Sequence, residues 1–406
     1  MSLYGTMRTG VSGMNAQANR LGTVADNIAN ANTTGYKRAD TQFSSFILPG
    51  TGGAYNSGGV NTNVRYSISQ QGTFTPTTSS TDLAIDGGGF FIVQGSDGVE
   101  YLTRAGAFQK MSDGTLRNAA GYTLMGYPYS SSQDPTIVIN GFDGLSPINM
   151  SGGGQVVTPS SSGYLQVDLP NTTADGETLS TSLVAYDSQG ASRKLDFHYT
   201  KTGDNLWEVT VTYTPPGSTT PVNMLAAPVE MEFNTSGQLI APNPAQLVTE
   251  QEAFGGAVLA PLTIDLSGST QVGVTALGAD GSINGSGPSE VIDYQVSSDG
   301  IVSLKYANGD LIPKFRIALA NVQSPDMLSP LPGNVYSQSN DSGVIVMGYP
   351  GNSGLGGIVS NVLEDSNVDI ATELTGMIEA QRNYTANSKV FQTGSELMDV
   401  LVNLKR

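Results

Sequence analysis

Apolar positions recur every seven residues at both ends of the chain and every second residue through its middle. Helices are therefore expected at the termini and strands between them. Near the start, Met7, Met14, Leu21 and Ile28 form one row, and Tyr4, Val11, Ala18 and Ala25 form a second. Together they draw the a/d stripe of a coiled coil on a helix over residues 3–31, a rod of about 40–45 Å. Gly5, Gly10, Gly13 and Gly22 each weaken such a helix by about 1 kcal/mol relative to Ala. Burial of Tyr4, Met7, Val11, Met14, Leu21 and Ile28 returns on the order of 10 kcal/mol at most. Packing, not propensity, decides whether this helix exists.

At the other end Ile370, Met377, Tyr384, Phe391 and Met398 are spaced by seven, with Leu374 on a neighbouring turn. A second row, Val390, Leu397 and Leu404 with Leu401, lies about 100° further round the helix. Ser366 or Asn367 is expected to cap it, with Asp369 and Glu373 at its positive end and Lys405 and Arg406 at its negative end. One row can pack on the N-terminal helix. The second then needs a partner, and another copy of the chain is the candidate. A plain intramolecular hairpin of helices is the competing reading of the same spacing.

In LWEVTVTY, Trp207, Val209, Val211 and Tyr213 face one way while Glu208, Thr210 and Thr212 face the other. KLDFHYT, VEMEF (229–233) and LTIDL (262–266) alternate likewise, as half-buried antiparallel strands do. Asp-Gly recurs at 97–98, 113–114, 143–144, 175–176, 280–281 and 299–300, which supplies the positive φ of tight hairpin turns. A calcium loop would need several spaced oxygen ligands, and no such array appears.

Glycine-rich stretches divide the chain. Residues 50–59 read as a flexible connector, MSGGGQ (150–155) and 278–288 bracket a β-rich block, and PGNSGLGG precedes the last helix. The expected class is α+β, mainly β, with coiled-coil-like terminal helices carrying nested antiparallel β domains. Its parts would be 1–35 with 362–406 (helical), 36–72 (linker), 73–148 with 286–361 (first β domain) and 149–285 (inserted β domain).

Composition narrows the function. The 406 residues are 38% hydrophobic and 13% charged, with 50 Gly and 20 Pro, which suits a β-rich chain with many turns. A net charge of −17 without a basic cluster argues against nucleic acid and anionic membranes as partners. No cysteine and a single histidine, His198, preclude a Cys/His zinc site or a Cys nucleophile within one chain. His198 falls on the polar face of its strand and is expected to be solvent-exposed. IDGGGFFIV (85–93) lacks the Lys-Ser/Thr of a phosphate loop and runs into a strand. No catalytic residue, metal ligand or cofactor is therefore expected. No membrane span and no cleaved signal peptide are expected either.

The stretch DNIANANTTGYKR ends the first helix with Asn27, Asn30 and Asn32 and breaks at Gly35. With its flank LGTVA it resembles the N-terminal signature of the bacterial flagellar rod and hook axial family, matching at Asn27, Asn30, Asn32, Thr34, Gly35 and Lys37. Tyr36 stands where that family carries an aromatic, commonly Phe. SNVDIATELTGMIEAQRNYTANSKVFQTGSELMDVLVNL (366–404) is similar to the family's closing helix at Asn367, Val368, Met377, Gln381, Arg382, Tyr384 and Asn387. LAIDGGGFFIV and YLTRAGAFQKMSDGTLRNAAGYTLMGYP resemble its β domain, whereas residues 155–280 match nothing residue by residue.

The resemblance implies a self-polymerising structural subunit. Length and the large insert suit the hook branch better than the shorter distal rod branch. It further implies a bendable tube that transmits torque, and export by the flagellar type III apparatus to the cell surface. Its implied partners are other copies of itself, the distal rod protein, the hook cap protein and the hook–filament junction protein. The rival from another class is a secreted β-sandwich adhesin or carbohydrate-binding module, with Trp207, Tyr213 and Tyr199 as a sugar platform.

Overall fold

The computed structural model describes residues 3–46, 58–130, 135–151, 153–352 and 354–404. It contains two long helices, α1 (Leu3–Ala29) and α2 (Ile370–Leu404), and is otherwise built mainly of strands. Two compact units divide the chain. One comprises Met1–Gly152, Asp293–Lys305 and Leu311–Arg406, and the other Gly153–Ile292 with Tyr306–Asp310.

In the first unit the outgoing and returning chain are laced together. Phe74–Pro76 pairs antiparallel with Val362–Glu364, and Leu83–Asp86 with Gly357–Ser360. This pairing brings the start of α2 back to the end of α1. Beyond it lies a 13-stranded sheet in which Phe90–Gln94 pairs with Glu100–Thr103 and Thr123–Pro128. FFIV is buried on both faces, as its unbroken apolar run requires. Phe90, Ile92, Leu102, Met125 and Tyr336 form part of one core.

Residues 36–72 were expected to be a linker, and in this the structure differs. Strands β1 (Ala39–Phe46) and β2 (Gly59–Tyr66) pair along their whole length and lie against α1 through Ser12–Val60, Asn19–Thr62 and Thr23–Thr41 hydrogen bonds. The hairpin's signal is diluted because one face is polar (Asp40, Gln42, Ser44, Asn61, Asn63, Arg65) and the other mixes Ala39, Phe43, Val60, Val64 and Tyr66 with Thr41, Ser45 and Thr62. Residues 50–57 of the expected glycine-rich connector lie outside the described residues.

The second unit is a β-sandwich. A six-stranded sheet runs through Thr178–Tyr186, Ser192–Gly203, Leu206–Tyr213 and Val229–Phe233. Trp207, Val209, Val211 and Tyr213 are buried and alternate with half-buried polar residues. They meet Leu165, Val167, Leu247 and Ile264 of a five-stranded sheet in one core. That second sheet is mixed: Ser162–Pro170 runs parallel to Thr263–Asp265 and antiparallel to Gly278–Ile283. The LTIDL segment therefore has the expected antiparallel neighbour in Gln246–Val248 and a parallel one in Ser162–Tyr164. Gly98, Gly114, Gly144, Gly176 and Gly300 take positive φ at their turns, but Gly281 lies within a strand.

Candidate functional site: the terminal helix pair and its junction

The two helices pack antiparallel through small residues. A Cβ on Gly13 would lie 2.8 Å from the Asn387 side chain, and one on Gly10 3.3 Å from the Asn387 carbonyl. On α2, Gly394 faces Met7 and Gly376 faces Val24 and Arg20. Gly10, Ala16, Val24 and Asn27 are the buried residues of α1. Ala380 is fully buried on α2. Gly13, Gly376 and Gly394 are notches that receive side chains of the other helix and Gly10 receives its backbone, so two of the residues that weaken α1 in isolation form its contact with α2. Gly22 faces open space.

The larger apolar residues expected in the seam divide into two sets. Met7, Met14, Leu21, Ile28, Met377 and Phe391 are half-buried. Tyr4, Val11, Ile370, Leu374, Tyr384, Val390, Leu397, Met398 and Leu401 are exposed, with Tyr4 at 70% and Leu401 at 56%. The stripe drawn through Tyr4 and Val11 therefore does not face α2. The intrachain contact lies on a row that a count of large apolar residues passes over. The side chain of Leu404 and residues Lys405 and Arg406 lie outside the described residues. The N-cap of α2 is Asp369, whose Oδ1 accepts from the Ala371 and Thr372 amides at 2.8 and 3.0 Å, in place of Ser366 or Asn367.

Below the pair, the asparagine-rich stop is a hydrogen-bonded junction. Buried Asn27 uses its whole amide: Nδ2 donates to Ala39 O (2.7 Å) and Glu373 Oε2 (3.2 Å), while Oδ1 accepts from Ala39 N (2.9 Å) and the Tyr36 hydroxyl (3.3 Å). Asn30 Nδ2 donates to Asp26 O at 2.9 Å and its Oδ1 accepts from Thr33, closing the helix end. Gly35 has φ of 68°, and a Cβ there would sit 2.6 Å from the Ala105 nitrogen. Only glycine fits.

Two consecutive cations then grip two different carboxylates. Lys37 Nζ donates to Glu364 Oε1 at 2.5 Å and to Gln70 O at 2.6 Å. Arg104 completes a buried triad through Glu364 Oε2 at 3.3 Å, and the Gly72 amide also donates to Glu364. Arg38 Nε donates instead to Glu373 Oε1 at 2.5 Å, on α2. The Arg38 amide donates to Asn367 Oδ1, whose own amide donates to the carbonyls of Ser67 and Gln70. Burial lowers the Lys37 pKa and outweighs the Glu364 carboxylate beside it. Tyr36 is pushed up to about 12 by burial first, then by Asp26, Tyr66 and Glu373. Lys37, Glu364, Arg104 and Glu373 were not read as a network from sequence, because their partners are hundreds of residues away. Of the signature residues on α2, Gln381 and Arg382 are exposed and Asn387 is half-buried over Gly13.

The other candidate positions form no site. Trp207, Tyr199 and Tyr213 are at most 3% exposed, which removes the sugar platform. The ring of His198 is bridged to Ser180 Oγ (2.8 Å) and Thr212 Oγ1 (3.0 Å) on the flanking strands, so it is half-buried and engaged where free exposure was expected.

Four family models match the chain in order. They are flagella basal body rod protein at 7–37, flagellar hook protein FlgE/F/G D1 domain at 84–159, flagellar basal body protein FlaE D2 domain at 149–285, and flagellar basal body rod FlgEFG protein C-terminal at 359–404. Over 411 aligned residues the chain is 59% identical to the flagellar hook protein FlgE of Rhizobium meliloti and 48% identical to that of Brucella suis, with all of each chain covered. It is 31% identical to the flagellar hook protein FlgE of Escherichia coli, covering 97% of this chain and 98% of that one.

Proposed function

The chain belongs to the flagellar hook protein FlgE family, and from that premise we propose that its terminal helices polymerise it into the tube of the hook. It is a structural subunit of the bacterial flagellar hook. The observation that carries the polymerisation reading is the exposed apolar face of the helix pair: Tyr4, Val11, Val390, Leu397 and Leu401 remain uncovered after α1 and α2 have packed together. A face of that kind on a helix in water is covered by a partner. The same rows at seven-residue spacing suit coaxial packing against other copies.

Glycine notches bring the two backbones close, and the Asn27–Glu373–Arg38 and Lys37–Glu364–Arg104 networks tie them to the β1–β2 hairpin and the sheet below. Load applied to the helices passes into the sheet through these side chains. On this reading the chain is exported by the flagellar type III apparatus and works outside the cell. It transmits torque as a bendable joint and meets the distal rod protein, the cap protein and the hook–filament junction protein at the ends of the polymer.

Electron microscopy after salting-out tests the reading, with the full chain beside a truncation lacking residues 1–36 and 365–406. Hollow curved tubes from the full chain and none from the truncation are expected. Tubes from the truncation would refute terminal-helix polymerisation.

A further inference from the structure

Asn-Gly occurs three times in the chain, at 140–141, 284–285 and 308–309. The pair is chemically labile because glycine has no Cβ to shield its nitrogen, which can then reach the amide carbon of the asparagine before it. The fold decides whether it does, since the side-chain amide must come free and the backbone must bend. Two of the three pairs are locked. Asn284 Oδ1 accepts from the Ser161 and Ser162 amides at 2.8 and 2.9 Å, and its Nδ2 donates to both serine hydroxyls at 3.0 and 3.2 Å. A Cβ on Gly285 would lie 2.6 Å from Ser160 Oγ, so that glycine has little room to move. Asn308 Nδ2 donates to Ser286 Oγ and Asp310 Oδ2, each at 2.7 Å, and its Oδ1 accepts from the Asp310 amide at 3.1 Å. The Gly309 nitrogen itself donates to Tyr306 O at 2.9 Å.

Asn140 differs on each count. It is exposed in the turn that follows Ile139. Neither its side chain nor the Gly141 nitrogen has a hydrogen-bond partner among the described residues. A Cβ built on Gly141 would touch Val138 at an ordinary 3.5 Å, and its φ is not in the left-handed region. Nucleophile and amide are both unengaged there, and the backbone between them is open to water.

We propose that Asn140 is a site of spontaneous modification, deamidated through the Gly141 nitrogen, while the fold holds Asn284 and Asn308 intact. The Gly141 nitrogen attacks Asn140 Cγ, and its proton passes by way of water to Nδ2. The Cγ–Nδ2 bond breaks, ammonia leaves, and a cyclic imide remains. Water then opens the imide at either carbonyl, giving aspartate or isoaspartate, so one water is consumed for each ammonia released. Either product adds a carboxylate three residues before Asp143. Isoaspartate also lengthens the backbone between Ile139, whose carbonyl accepts from the Met347 amide at 2.8 Å, and Phe142, which packs on the core of the first unit. The change needs no enzyme, so it accumulates with the age of the chain whether or not the chain is assembled.

The full-length chain is incubated at mildly alkaline pH in heavy-oxygen water, folded and in urea, then digested, and label uptake at each asparagine is read by mass spectrometry. In the folded chain Asn140 is expected to react about tenfold or more faster than Asn284 and Asn308, since breaking one hydrogen bond on the way to the ring slows the step by about that factor. In urea the three sites are expected to converge. Isoaspartate at 140, detected by enzymatic methylation, is expected beside aspartate. Gly141→Ala, whose methyl has room in the fold, is expected to slow Asn140 by about tenfold with melting unchanged. Asn284 or Asn308 reacting as fast as Asn140 in the folded chain overturns the proposal, and so does a lead of Asn140 that survives undiminished in urea. Aspartate without isoaspartate, or a Gly141→Ala rate equal to that of the unaltered chain, overturns the route through the Gly141 nitrogen and the proposal with it.

Discussion

The sandwich of residues 153–292 and the terminal helix pair bury their apolar residues by opposite rules. In the sandwich the large side chains point inward, with Trp207, Phe197, Tyr199 and Val211 at 1% exposure or less. In the helix pair the deepest contacts belong to Gly10, Gly13, Ala380 and Gly394, and many large apolar side chains remain outside. The sandwich is satisfied by its own chain. The pair is not, and on the reading proposed above its uncovered surface is where copies join. Charge divides the same way: the sandwich unit carries fifteen Asp and Glu against three Lys and Arg, a net −12 of the chain's −17. Self-repulsion therefore weighs most on the unit that needs no partner for its core.

Core truncation gives the largest effect on this contrast. Trp207→Ala should cost the sandwich about 3–5 kcal/mol. Glu364→Gln, which leaves Lys37 and Arg104 buried without their anion, should cost the other unit about the same. Two urea transitions that shift separately, followed by Trp207 fluorescence and by far-ultraviolet dichroism, would sharpen the comparison; a single shared shift would break it.

On the helix face the expectation reverses. Leu397→Ser and Leu401→Ser should leave monomer stability within about 0.5 kcal/mol and yet raise the critical concentration for assembly about tenfold or more. Loss of monomer stability in urea would mean that these leucines pack within their own chain.

The smallest effect compares two glycines of one helix. Gly22→Ala should stabilise by up to about 1 kcal/mol, because nothing opposes the added methyl. Gly10→Ala should destabilise, since the methyl meets the fixed Asn387 backbone carbonyl at 3.3 Å. Equal signs in thermal melts would remove the notch as an explanation.

Alternation along residues 206–213 was readable because every second residue there is large and apolar. The seven-residue spacing at the ends was readable for the same reason, but the facing row was not. Gly10, Gly13, Gly376 and Gly394 contribute through what they lack, and an apolar count reads them as gaps. The β1–β2 hairpin escaped because Thr41, Ser45 and Thr62 interrupt the row of Ala39, Phe43, Val60, Val64 and Tyr66 that would announce a strand. Asn27, Asn30, Gly35 and Tyr36 were visible as a stop, whereas what they hold was not: the Asn27–Glu373 and Lys37–Glu364 contacts join residues 346 and 327 positions apart.

Those separations also set an order in time. Contacts across so long a span form late, because closing the intervening loop is entropically slow until the middle is compact. The sandwich, with every strand drawn from one continuous stretch, can fold while the chain's end is still being delivered. On the proposed reading, the α2 share of the adhesive face exists only once the final residues have arrived, so a subunit would complete its sticky surface last, after the bulk of it has already taken shape.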